Sequence, residues 1–186
     1  GLLTLPVVAL ALTGCGPPAE DPLTKQLEDA FERTMTPNQV ELENYRHGAQ
    51  MGAFPLTHRP QIAGYLAVGD HASNWTGWLK GENPSVISES VSMGDYGNSW
   101  NTYYFANSLL TYYRSDQTIL DLSDPRAPRR RLIIIEAGIT PLAELGASRK
   151  LVDGEEVDLE PNEVTAILAR ADQLSDSLVV PFRRTN

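Results

Sequence analysis

The sequence predicts an α+β fold, in which an antiparallel β-meander sheet of about six to eight strands is covered by an N-terminal and a C-terminal helix. Between residues 62 and 157, apolar and polar residues alternate in short runs, as expected for half-buried strands. The turns between these runs hold a few residues each, whereas a parallel crossover needs about a dozen. The flanking segments show helical spacing instead. We expect both helices to cover the same face of the sheet.

The first helix is predicted over residues 22–35. Asp21 and Pro22 supply an N-cap and a first helical residue, and apolar residues such as Leu27 and Phe31 follow at helical spacing. This segment therefore has one apolar stripe to place on the sheet.

The next segment remains open at this level. Thr36-Pro37-Asn38 either ends the first helix or starts another turn. Residues 38–60 fit a continued helix through Leu42 and Tyr45, but glycines and prolines later in the segment require loops.

The strands are predicted at residues 62–68, 75–79, 86–93, 100–106, 109–115, 131–136, 150–152 and 155–157, with a possible extension at 117–122. Ile133-Ile134-Ile135 is the most hydrophobic run, which indicates a central strand. Asp153-Gly154 is the strongest signal for a two-residue hairpin. These strands account for the meander.

The second helix is predicted from Pro161 to about Leu178. Apolar residues, among them Ile167 and Leu174, form a stripe along one side of it. Residues 179–182 could then add a short edge strand.

The first 14 residues, GLLTLPVVALALTG, carry no charge. A helix over the apolar run 2–12 would be about 17 Å long, whereas the hydrocarbon core of a bilayer is about 30 Å thick. This is the length of the hydrophobic region of a signal peptide. The run ends in Leu12-Thr13-Gly14-Cys15, an aliphatic residue, two small residues and a cysteine. It resembles the lipobox of bacterial lipoprotein precursors.

The resemblance implies a signal peptide at residues 1–14, and a mature N-terminus at Cys15 that carries lipid. It implies a lipid-anchored protein of the bacterial cell envelope. Gly16, where Asp would signal inner-membrane retention, favours the outer membrane facing the periplasm if the source is Gram-negative. Residues 15–22 are then a proline-rich tether, followed by a single α+β domain at 23–186.

Composition excludes several classes of function. The 24 acidic and 15 basic residues give a net charge of −9, which argues against a nucleic-acid partner. A single cysteine cannot form an intramolecular disulfide or a cysteine-rich zinc site. His47, His58 and His71 lack the spacing of a helix-borne metal site, so we expect no metal or cofactor. There is no GxSxG motif, phosphate loop or dinucleotide fingerprint, which leaves enzymatic activity open but disfavoured.

Aromatic residues concentrate between Tyr65 and Tyr113, which hold ten of the fourteen in the chain. Neighbouring tyrosines such as Tyr103 and Tyr104 place one ring on each face of a strand. The bland interpretation is cross-strand pairing that only stabilises the sheet. The functional interpretation is a partner surface on the sheet and the loop 94–100, formed by Trp75, Trp78, Asp95, Tyr96, Asn98, Trp100 and Tyr112.

These observations favour a binding module for an envelope protein, a peptide or a glycan such as peptidoglycan. One alternative is a lipid or small-molecule carrier with an apolar cavity. Another is an envelope hydrolase, in which a polar cleft would bring Asp95 and a histidine together. Arg126 and Arg129–Arg131 either contact anionic polymers or lipids, or act as solubilising charges beside a hydrophobic strand.

Overall fold

Eight antiparallel strands form one sheet, and their order in the sheet is their order in the chain. The computed structural model describes residues 35–53, 61–124 and 126–184. The elements are α1 (Pro37–Ala53), β1 (Gln61–Val68), β2 (His71–Lys80), β3 (Asn83–Ser92), a 3₁₀ turn (Gly94–Tyr96), β4 (Gly97–Ala106), β5 (Leu109–Asp121), β6 (Arg129–Ile139), β7 (Leu145–Val152), β8 (Glu155–Val157) and α2 (Pro161–Arg184). The predicted α+β meander with two helices is confirmed.

Helix α1 occupies the segment that the sequence left open. Thr36 is its N-cap: the Thr36 hydroxyl accepts a bond from the amide of Gln39 at 3.3 Å, and the Gln39 side chain accepts one from the amide of Thr36 at 2.9 Å. This reciprocal capping box, with Pro37 at the first helical position, fixes where the helix begins. The leader, Cys15, the tether and, except for Met35, the helix predicted at 22–35 lie outside the described residues.

Helices α1 and α2 lie on opposite faces of the sheet and do not share the one face that the sequence had led us to expect of two helices. Tyr113 packs with Ile167 and Leu174 of α2, whereas its neighbour Tyr112 packs with Leu42 of α1. Successive strand residues point to opposite faces, and here both faces carry apolar residues. We refer to them as the α1 face and the α2 face.

Both helices approach the sheet at glycine positions. A methyl group at Gly138 would overlap the ring of Tyr45 in α1, and one at Gly146 would lie 2.7 Å from its hydroxyl oxygen. On the other face, a methyl group at Gly77 would overlap Leu178 of α2. Because these glycines lack a Cβ, the strands can accept large helix side chains at short range.

Helix α2 continues to Arg184, so the short strand expected at 179–182 does not form. Leu174 and Leu178, one turn apart, are both almost fully buried. The apolar stripe therefore stays on the sheet as far as Leu178, so the backbone has no reason to leave the helix there. None of the described helices is long and apolar enough to cross a membrane.

Local turn chemistry sets the hairpins. Asn107 and Ser108 between β4 and β5, and Asp153 and Gly154 between β7 and β8, all have positive φ. This is the backbone of tight two-residue hairpin turns. The hydrophobic strand β6 lies in the interior between β5 and β7, as predicted.

Candidate functional site

The α1 face is only partly covered by α1, and the rest of it is accessible. The helix packs over the row that contains Tyr104 and Tyr112. Farther along the same face, side chains are exposed or partly exposed. We term these residues of β3–β6 the open face: Ser90, Asn98, Trp100, Asp116, Thr118, Leu132 and Ile134.

Trp100 is at the centre of the open face and is 62% exposed. Ser90 of β3 and Asp116 of β5 lie directly opposite it on the two neighbouring strands. Asn98 and Thr102 flank it on the same face of β4. A large apolar ring therefore stands among four short polar side chains, each able to form hydrogen bonds.

Beside the open face, a buried carboxylate joins α1 to the sheet. The Glu136 side chain is 1% exposed and lies within reach of three arginines. Arg114 donates a bond to it at 3.2 Å, Arg149 donates another, and Tyr112 donates a third at 2.7 Å. Arg46 of α1 lies 3.8 Å from it.

The ionisation of this cluster follows from its contacts. Burial opposes the charged form of Glu136, but bonds from Tyr112 and Arg149 outweigh it, and the pKa of Glu136 lies below its ordinary value. Burial and the bond to Glu136 raise the pKa of the Tyr112 hydroxyl. Both groups keep their usual protonation states at neutral pH. The three donors, all on the sheet, hold the carboxylate in place, and its ion pair with Arg46 links it to α1.

A second buried carboxylate joins α2 to the opposite face. Glu89 is 2% exposed. It accepts bonds from Ser73 at 2.5 Å, Arg170 of α2 at 3.0 Å, Tyr103 at 3.1 Å and Asn101 at 3.3 Å. Burial disfavours its charge, but bonds from Arg170 and Ser73 dominate, and the pKa of Glu89 is lowered. Burial in the same network raises the pKa of Tyr103.

The sequence analysis missed both glutamates. Glu89 lies between Ile87 and Val91 on the same face of β3, and Glu136 directly follows the three isoleucines of β6. A charged residue at a position whose neighbours mark a buried strand is the signal that could have found each of them.

The structure separates the residues of the predicted partner surface. Asn98 and Trp100 share the open face, and both are exposed. Asp95 and Tyr96, also exposed, belong to the 3₁₀ turn that precedes β4. Only Asn98 and Trp100 therefore lie side by side on one surface.

The other three members of the predicted surface are less accessible. Tyr112 is 1% exposed beneath α1, which corrects its assignment to a surface that a partner could reach. Trp75 is half-buried on the α2 face, where its ring occupies the space above Gly64. Trp78 is half-buried opposite Val86.

The pockets give little support to the carrier and hydrolase alternatives. One pocket of about 400 Å³ is lined mainly by polar residues, among them Asn38 and Arg149. Two others have volumes of about 240 and 160 Å³. None of these three, all in the described part of the chain, includes Asp95 or His71. A carrier would need a large apolar cavity, whereas the pocket of about 400 Å³ is polar and the two with more apolar linings are smaller.

The histidines do not converge on a metal site. His47 lies in α1 and is exposed, as is His71 at the start of β2. His58 lies outside the described residues. Within residues 35–53, 61–124 and 126–184, no group of three or more His, Cys, Asp and Glu is placed to hold an ion.

The basic cluster takes part in ion pairs. Arg131 lies 3.0 Å from Asp153 and 3.5 Å from Asp121, and Arg129 lies 3.7 Å from Asp121. Ion pairs to Arg129 and Arg131 fit their interpretation as solubilising charges at the start of β6.

No protein-family model matches the chain, and neither a curated protein nor a solved structure is significantly similar to it. For residues 35–184, apart from the gaps at 54–60 and 125, the class can thus be given as architecture alone, an eight-stranded antiparallel meander with one helix on each face. Its candidate functional site is the open face around Trp100.

Proposed function

We propose that this chain is a lipid-anchored protein of the bacterial envelope whose open face binds a glycan. The observation that carries the binding proposal is Trp100, 62% exposed on a strand and surrounded by short polar side chains. The membrane anchor rests on the lipobox resemblance at Cys15.

The chemistry of the open face fits a sugar better than a protein. A pyranose ring has an apolar C–H face, which can stack on the Trp100 ring, and a rim of hydroxyl groups. Ser90, Asn98 and Asp116 offer donors and acceptors around that ring, where the rim would lie. A protein hot spot more often lies in apolar surroundings that exclude water.

The proposed anchor makes an envelope glycan the first ligand to test. Acyl chains contribute about 0.8 kcal/mol per buried methylene and would hold the chain on the membrane. Peptidoglycan is the glycan polymer that such a protein would face. The net charge of −9 disfavours broad adsorption of the domain to anionic lipid, so the lipid itself would set its position.

A protein partner is the second candidate, and it is favoured by a different part of the open face. Leu132 is 51% exposed, and Ile134 lies on the same face beyond Asp116. Together with Trp100 these side chains would give an apolar centre to a protein interface.

The test is binding of the purified chain to isolated peptidoglycan sacculi by co-sedimentation, with soluble muropeptides as a second probe. Trp100→Ala should weaken binding at least tenfold, about 1.4 kcal/mol, while Trp100→Phe should retain part of the affinity. Leu142→Ala is the matched control, because Leu142 is 78% exposed in the β6–β7 connection, outside the open face.

Equal binding by wild type and Trp100→Ala, or no binding by either, would overturn the glycan assignment. A photo-crosslinker at position 132 that captures one defined envelope protein, with capture lost in Trp100→Ala, would establish the second candidate instead.

A further inference from the structure

One edge of the sheet has no partner strand among the described residues. Strand β1, Gln61–Val68, pairs with β2 over eight consecutive residues without a register shift. In the described part of the chain nothing pairs with its other side. Its sequence, QIAGYLAV, holds no charge and no proline. The outward N–H and C=O groups of such a strand are a template for another strand.

The opposite edge is protected in three ways. Strand β8 is only three residues long and carries Glu155 and Glu156. Beyond the end of β8, Asn38 of α1 bonds to the backbone of Ser148 in β7, donating to its carbonyl at 2.8 Å and accepting from its amide at 3.2 Å. Short length, charge and a capping side chain are devices that block edge pairing, and β1 has none of them.

We propose that β1 pairs antiparallel with β1 of a second copy, about a two-fold axis perpendicular to the sheet. Such an isologous contact sets the middle of the strand against itself, so any charge there would face the same charge. Because β1 is uncharged, this penalty is absent. An uncharged edge suits an uncharged strand, and a second copy of β1 is such a strand.

The side chains at the centre of β1 support the same occupant. Tyr65 is 66% exposed on the α1 face, and Leu66 is 47% exposed on the α2 face. With the axis at either central residue, Tyr65 would face Tyr65 or Ala63 of the other copy, and Leu66 would face Gly64 or Ile62. Pairing would therefore cover apolar side chains on both faces while satisfying the outward backbone groups.

The test is sedimentation velocity of the full chain in a mild non-ionic detergent, over about a thousandfold range of concentration. Wild type should pass from monomer to dimer. Tyr65→Lys and Tyr65→Glu should each weaken the dimer at least tenfold, and an equimolar mixture of the two should restore it. Leu142→Lys makes a matched charge change at another exposed apolar residue, and it should leave the dimer intact.

Amide hydrogen exchange adds a readout specific to strand pairing. The outward amides of β1 should exchange more slowly in the dimer than in Tyr65→Lys. A wild type that stays monomeric overturns the proposal. So does unchanged dimerisation of Tyr65→Lys and Tyr65→Glu, or a mixture of the two variants that does not dimerise. Protection of β1 only upon addition of a different extended peptide would also overturn it. The result is independent of the glycan proposal, since Trp100 lies on β4.

Discussion

At the scale of single residues, two buried glutamates define where the helices sit. Glu136 reaches α1 through Arg46, and Glu89 reaches α2 through Arg170. A buried carboxylate that loses its partners retains a large desolvation penalty. Each helix is thus fixed by a polar contact inside an otherwise apolar packing surface, and a shifted helix would leave a charge unpaired.

Glu136→Gln should lower the free energy of unfolding by about 3 kcal/mol at neutral pH, because three arginines would lose their shared counter-ion. Chemical denaturation measures the change. Glu156→Gln is the matched control, since Glu156 is exposed in β8, and it should change stability by less than about 0.5 kcal/mol. A Glu136→Gln protein as stable as the control would show that the cluster does not stabilise the fold.

The loss should depend on pH in a definite direction. The folded-state pKa of Glu136 lies below its ordinary value, so its contribution is complete above the unfolded pKa of about 4.3 and disappears as the pH falls through the lowered value. The difference between wild type and Glu136→Gln should therefore be largest at neutral pH and shrink in acid. The pKa of Glu89 is lowered as well, so the stability of the Glu136→Gln variant should still decrease somewhat in acid.

For residue pairs of this kind, the sequence predicts that a partner is needed but does not identify it. Glu89 at an inward strand position announces that a partner must exist. Arg170 is 81 positions away on a helix. From the sequence alone, several other arginines are equally suitable partners for Glu89. The partner follows from where α2 crosses the sheet, which no local pattern encodes.

At the scale of elements, strands were predicted closely and helix placement was not. Alternation and two-residue turns such as Asp153-Gly154 act over a few residues, so the meander follows from local signals. The face that α1 covers depends on Tyr45 fitting above Gly138 and Gly146, about a hundred positions later. That fit is a property of packed surfaces and is absent from the spacing of apolar residues.

Gly138→Ala should destabilise the protein by about 1–3 kcal/mol, because the added methyl group must displace the ring of Tyr45 and with it α1. Thermal or chemical unfolding measures the effect. The control is Gly48→Ala within α1, where a methyl group would meet no atom within 4 Å. That change should stabilise the helix by about 0.5–1 kcal/mol. Equal effects at the two glycines would contradict the close approach of α1.

At the scale of the whole molecule, helices on opposite faces leave two different surfaces available. Part of the α1 face remains accessible around Trp100, and Tyr65 is exposed on the edge strand β1. We propose that the first binds a sugar through side chains and that the second pairs with a strand through its backbone. Because they are separate, one variant at each position distinguishes ligand binding from self-association.

The proposed anchor also belongs to the whole molecule. Cys15→Ser removes the residue that would carry lipid, so this variant should leave the membrane fraction of cells while wild type remains in it. Cell fractionation with immunoblotting measures the distribution. Trp100→Ala is the control, since it leaves the lipobox intact and should stay with the membrane. A Cys15→Ser protein that remains membrane-bound would refute the lipid anchor.

Sequence alone determined the antiparallel meander, its turns and an α2 helix beginning at Pro161, because each depends on contacts within a few residues. It also supplied the expectation of a lipid at Cys15, which is a matter of local motif. Tertiary structure decided which face each helix covers, that Tyr112 is buried while Trp100 is exposed, and that Glu89 and Glu136 are held by distant arginines. The physical reason is that burial belongs to the packed assembly: a strand pattern shows that two faces exist, and only the docking of α1 and α2 determines what remains open.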